Sequence, residues 1–185
     1  MDKKFTDIEK ISVRQLRFKK TKDKLTEHKK NYIISDFSGN RVSVVLEKVI
    51  IPFGYESFNN KFILNVEINP KSGNSHYNIH SHISTFENDF VNPENINSEE
   101  IIKDIEGKGY YNNMRKSKGG FILRAYVFGN PEIYMMSGKF KNLMTSADIK
   151  QTVSNVTLEL GSFWVNDNNY GFIWYVKNIE VLHSV

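Results

Sequence analysis

Leu160-Gly161-Ser162-Phe163-Trp164-Val165-Asn166-Asp167-Asn168-Asn169-Tyr170-Gly171-Phe172-Ile173-Trp174-Tyr175-Val176 carries both tryptophans, two of the nine tyrosines and two of the thirteen phenylalanines of the chain. The Asn/Asp run from Asn166 to Asn169 divides the rings into two groups and has the chemistry of a tight turn, which predicts a hairpin with strands over 155–166 and 170–182. Rings on paired strands form a core, a platform for stacking bases, or one of each on opposite faces. Strand alternation separates them. Tyr170, Phe172, Trp174 and Val176 share one face; Ile173, Tyr175, Lys177 and Ile179 share the other, which alone includes a cation. The first face is expected to be core, with Trp164 joining Phe172 and Trp174 there.

Working outward, a two-residue period recurs through most of the chain. Ile11 and Val13 begin one candidate strand, and 31–37 is a second, stopped by Ser38-Gly39-Asn40. Residues 41–53 are β-branched almost throughout and predict a long, bent, well-buried strand. Strand 61–68 follows, with Phe62, Leu64, Val66 and Ile68 on one face. Asn69 to Asn74 reads as a loop. The middle changes character: Ile83, Phe86 and Phe90 suit one face of a short helix over 82–91, and Ser98 suits the N-cap of another over 99–105. Gly119-Gly120 releases strand 121–128, Gly129-Asn130-Pro131 predicts a turn, and 132–136 resumes. The sum is mainly β with one or two short inserted helices. An OB-like antiparallel β-barrel fits this pattern best, with a β-sandwich or jelly roll as the alternative. Residues 1–30 read as a basic N-terminal arm or first strand, and 31–185 as a single domain.

The chain has 185 residues, enough for a sizeable core, and only 39% are hydrophobic. No run is long enough to span a bilayer and the first residues lack a secretory signal's apolar segment, so no membrane association is expected and an intracellular location, cytoplasmic or nuclear, is. With no cysteine, disulfides, thiol nucleophiles and cysteine-ligated metals are excluded. Residues 1–30 hold eleven Lys/Arg against five Asp/Glu; the whole chain is +4, so the remainder is −2. The basic excess is local, densest around Arg14, Arg17, Lys19 and Lys20. It suits a polyanion, whose condensed counterions are released on binding, or a solvated terminus.

Walker A, GxGxxG and GxSxG patterns do not occur. Gly107-Lys108-Gly109 and Lys118-Gly119-Gly120 read as loop hinges. His76, His80 and His82 form the best enzymatic signal: if the segment is extended, His80 and His82 share a face as two zinc ligands, with Glu87 or Asp89 as a third. Ordinary surface histidines are the reading preferred here, so neither a cofactor nor an enzyme is expected. Glu99-Glu100 and Asp104-Glu106 read as a solvated helix face.

Binding chemistry is better represented. On strand 121–128, Ile122, Arg124, Tyr126 and Phe128 share a face that mixes a cation with rings; of these, Arg124 and Tyr126 would make a stacking surface with Tyr175 and Lys177 if both strands lie in one sheet. Just before it, Tyr110, Tyr111, Arg115, Lys116 and Lys118 interleave rings and cations in a glycine-flanked loop, suited to clamping phosphates or, equally, to a surface hairpin with no ligand. Lys139 and Lys141 repeat this around Phe140.

Ile51-Pro52-Phe53-Gly54, the 61–68 strand, the helical insertion, the tyrosine and lysine loop and the closing hairpin to Trp174 together resemble, over roughly residues 40–182, OB-fold single-stranded-DNA-binding proteins of large nucleocytoplasmic DNA viruses and phages. The resemblance implies sequence-independent coating of single strands, DNA or RNA, in viral replication or repair, without catalysis. The acidic tail of those families has no counterpart here. The alternative is a viral structural or assembly protein with a β-sandwich fold, in which case exposed rings form protein contacts, the chain self-associates and its place includes the virion.

Overall fold

The computed structural model describes residues 5–21, 29–71 and 73–185, the side chains of residues 74–76 excepted. Strands dominate. In chain order they are β1 (Phe5–Asp7), β2 (Arg17–Lys20), β3 (Lys30–Ser35), β4 (Arg41–Ile51), β5 (Tyr55–Phe58), β6 (Lys61–Ile68), β7 (Gly109–Tyr110), β8 (Met114–Lys116), β9 (Phe121–Ser137), β10 (Phe140–Leu143), β11 (Thr152–Val165) and β12 (Asn169–Ser184). Two helices, α1 (Asn74–Val91) and α2 (Glu99–Ile105), lie between β6 and β7. The protein is therefore mainly β with a helical insertion.

The pairing is mixed, which corrects the purely antiparallel expectation: β1 runs parallel to β4, β7 to β12 and β9 to β12. Parallel neighbours need a long connection, and β10 with β11 supplies it between β9 and β12.

The chain divides into two compact units. The first contains residues 1–44, 82–113 and 160–173. Here β2 pairs with β3 and β3 with β11, both antiparallel. Phe90 of the α1 segment packs against rings of β2, β11 and β12, lying 4.4 Å from Phe172, 5.0 Å from Phe163 and 5.9 Å from Phe18, centroid to centroid. Ile8, Ile11, Val13 and Leu16 of the basic N-terminal segment are buried; its residues 22–28, Lys22 and Lys24 among them, and residues 1–4 fall outside the described residues. The turn from Asp36 to Asn40 is held by a buried carboxylate. Asp36 accepts bonds from the Thr6 hydroxyl (2.6 Å), the backbone N–H groups of Ser38 and Asn40 (both 2.8 Å) and the Asn40 amide (3.0 Å). The closing hairpin turns as expected: Asn166 Oδ1 accepts from the N–H groups of Asn168 and Asn169.

The second unit contains residues 45–81, 114–159 and 174–185. β5 and β9 flank β6 in antiparallel register, β8 and β10 add to β9, and β12 lies parallel to β9. Lys48, at φ +53°, bends β4, so Val49 and Ile51 are buried where strict alternation from Val42 would have exposed them. The expected turn at Gly129-Asn130-Pro131 is instead a bulge within one long strand. Val127 pairs with Val176 and Glu132 with Asn178, so four residues of β9 oppose the single Lys177. Gly129 supplies the positive φ, +72°, that this excursion requires.

Candidate nucleic-acid interface

The register of the second unit puts one set of side chains on a common face. Tyr126 of β9 is opposite Tyr175 of β12 and Ile63 of β6; Arg124 is opposite Asn65, and Arg115 of β8 opposite Ile122. Residues two apart on a strand share a face, so Arg115, Ile122, Arg124, Tyr126, Tyr175, Lys61 and Phe58 project from the same side. The other side, with Leu64, Val66, Leu123 and Ala125, is buried. The sheet thereby joins Arg124, Tyr126 and Tyr175, as the face pattern of the two strands anticipates.

Cations and rings on this face are interleaved. Arg124 lies 4.5 Å from the centroid of Phe58, Lys61 5.8 Å from that of Tyr126, and the Phe128 and Tyr175 rings are 5.7 Å apart. Arg124 Nε donates to Asn65 Oδ1 (3.4 Å), whose amide donates to Glu56. This chain of bonds fixes the guanidinium against Phe58. Lys177 stands beyond Tyr175, its Nζ 3.2 Å from Glu159, so part of its charge is answered within the protein. Ile179, expected on this face, is buried on the other, because the register shift between Val176 and Asn178 reverses the alternation.

Lys116 is exposed on β8, and Lys118 stands in the turn that the Ser117 N–H to Gly120 carbonyl bond closes. Lys139 is at the tip of the β9–β10 hairpin. Phe58, Lys61, Asn65 and Phe128 join this face beyond the residues that the sequence singles out. Phe128 was visible on the ring-bearing face of its strand; the other three depend on the antiparallel register of β5 and β6 with β9.

The remaining candidates lie in the first unit. Arg14 is exposed on a short 3-10 turn, and Arg17 and Lys19 face outward on β2, Arg17 with its guanidinium 5.0 Å from the Phe37 ring. Lys20 pairs with Glu100 (3.4 Å). Tyr110 turns inward against Tyr170, at 5.5 Å, and its buried hydroxyl is pushed well up by desolvation and by the Glu87 carboxylate. The residue as a whole is part-buried, with its hydroxyl enclosed. Trp164, expected in the core, is only part-buried: Phe163 and Val165 take the inward positions, leaving Trp164 on the outer face beside Tyr111 (6.0 Å) and Lys29 (5.9 Å).

The histidine segment is helical, not extended. Residues two apart on a helix do not face each other, and the two histidines diverge accordingly. His80 stacks on Phe121 at 4.1 Å, and His82 Nδ1 lies 2.8 Å from Glu9. The His76 side chain lies outside the described residues. Among the described residues there is no group of three or more His, Cys, Asp or Glu able to hold a metal ion, and no helix is long and apolar enough to cross a membrane.

No protein-family model matches this chain, and no match to it is found among curated proteins.

Proposed function

We propose that the second unit binds single-stranded nucleic acid, DNA in the first instance, without sequence preference and without catalysis. The observation that carries this reading is the pairing of Tyr126 with Tyr175 on a face that also holds Arg115, Arg124 and Lys61. Flat rings stack on any base, and cations between them neutralise the phosphates that link the bases. Lys116, Lys118 and Lys139 would add charge within the same unit.

The finer architecture we assign to this reading is OB-like. It is supported by connectivity: β4, β6, β9, β12 and β11 are neighbours in that order, and β11 pairs back to β4. Together with the resemblance to viral single-strand binders, this favours a role in coating strands during replication or repair inside the infected cell. Fluorescence anisotropy of labelled oligo-dT under increasing salt tests it. Binding that weakens steeply with salt is expected; no binding at low salt would remove the reading.

One observation favours the second reading, an assembly protein. Phe140 and Leu143 of β10 are 77% and 74% exposed, the kind of apolar surface that protein contacts use. Light scattering in the absence of nucleic acid separates the two, because only the assembly reading requires large oligomers.

A further inference from the structure

Beside the β9 bulge the second unit has an open cleft of about 660 Å³, within the range of roughly 300–1,000 Å³ typical of small-molecule sites. Phe53, Tyr55, Phe62, Pro131, Met144 and Lys150 line it. Phe53 and Phe62 are 56% and 61% exposed, which is unusual for large rings at a concave surface and leaves their faces available for stacking. The Tyr55 hydroxyl is buried with no hydrogen-bond partner among the described residues, and desolvation pushes its pKa up to about 12. Lys150 adds one positive charge at the exposed side. Rings, the polar Asn130 and Ser146 among the lining residues and a cation at the margin match the parts of a nucleotide: a flat base with hydrogen-bonding edges, joined to a phosphate.

The cleft is continuous in sequence with the interface. Phe128 of the bulge contacts Tyr175 on the interface face, while the next three residues, Gly129 to Pro131, line the cleft. We propose that this cleft holds one nucleotide of the strand bound across the Tyr126–Tyr175 face, its base against Phe53 and Phe62 and its phosphate toward Lys150. This rests on the reading of the second unit as a single-strand binder. The bulge then acts as the corner around which the strand leaves the stacking face.

Titration of the full chain with dTMP, thymidine and labelled oligo-dT, followed by calorimetry and anisotropy, tests the inference. Saturable dTMP binding is expected, weaker for thymidine, which lacks the phosphate. Phe62→Ala and Lys150→Ala should each weaken dTMP roughly tenfold; both side chains are exposed, and circular dichroism checks that the variants fold. Arg124→Ala should weaken oligo-dT and leave dTMP unchanged. If oligo-dT binds and dTMP does not, or if Phe62→Ala binds dTMP like the wild type, the cleft is not a nucleotide site, while the interface reading survives. If dTMP binds as described but oligo-dT binds no more tightly than dTMP, the nucleotide site stands and the strand path across Tyr126 and Tyr175 is removed.

Discussion

Tyr175 lies directly opposite Tyr126 across the parallel pairing of β9 and β12. Two tyrosines at one register position, on adjacent strands and on the same face, form the centre of a surface that neither strand makes alone. Tyr126→Ala is expected to weaken oligo-dT binding by roughly tenfold or more, in line with ~1–3 kcal/mol for a base stack on a ring. Tyr126→Phe, which keeps the ring, should restore most of it. Anisotropy at fixed salt reads both.

Arg124 should act through charge. Replacing it with Ala is expected to weaken binding and to lower the steepness of log K against log salt by about 0.7, the single-strand value for one phosphate contact. Arg124→Lys keeps the charge but loses the planar contact with Phe58, so its salt slope should be near wild type while its affinity falls.

Asp36 ties stability to acid pH. Burial, the largest influence, would raise its carboxyl; the bonds from Thr6, Asn40 and Ser38 outweigh it and hold the group below the usual carboxylate range. Its folded value is thus lower than its unfolded one, about 3.9, so its contribution is whole above that pH and is lost as pH falls through the folded value. Asp36→Asn should cost ~1–3 kcal/mol at neutral pH. Urea denaturation at several pH values should show the gap between variant and wild type closing below about pH 4.

Phe90 holds the first unit together. It is fully buried and in ring contact with Phe18, Tyr110, Phe163, Tyr170 and Phe172. Phe90→Ala should destabilise by ~3–5 kcal/mol through lost burial and the cavity left behind. Phe90→Leu should cost less, and chemical denaturation measures both.

Local chemistry made part of this molecule readable. The Asn166–Asn169 turn, the Ser98 cap and the alternation of Phe172 and Trp174 against Tyr175 are all settled by neighbours in sequence, and each is found as expected. What depends on distant partners was not readable. Helix α1 begins at Asn74, well before the expected residue 82; its first turns are polar, with Ile79 their one buried apolar residue among the described side chains, so apolar periodicity does not mark them. Trp164 faces outward because its neighbours Phe163 and Val165 fill the core, a choice that residue type alone does not make. Lys61 and Phe58 enter the interface only through the register of β6 with β9. The continuation of β9 through Gly129 and Pro131 follows from the parallel pairing with β12, which turn propensity cannot register.

Strand β10 pairs only with β9 among the described residues, and all four of its residues are exposed. Its outer backbone is a template on which a second extended chain can add, and Phe140 and Leu143 would reward that addition. Lysines are a common protection for such an edge, and two are in place: Lys139 at the hairpin tip and Lys141, fixed by Glu132 and lying over the Tyr134 ring. Charge at such an edge disfavours the addition of a second copy of the strand. At this hairpin the lysines that the proposed binding would use for phosphates would also work against fibrous self-association.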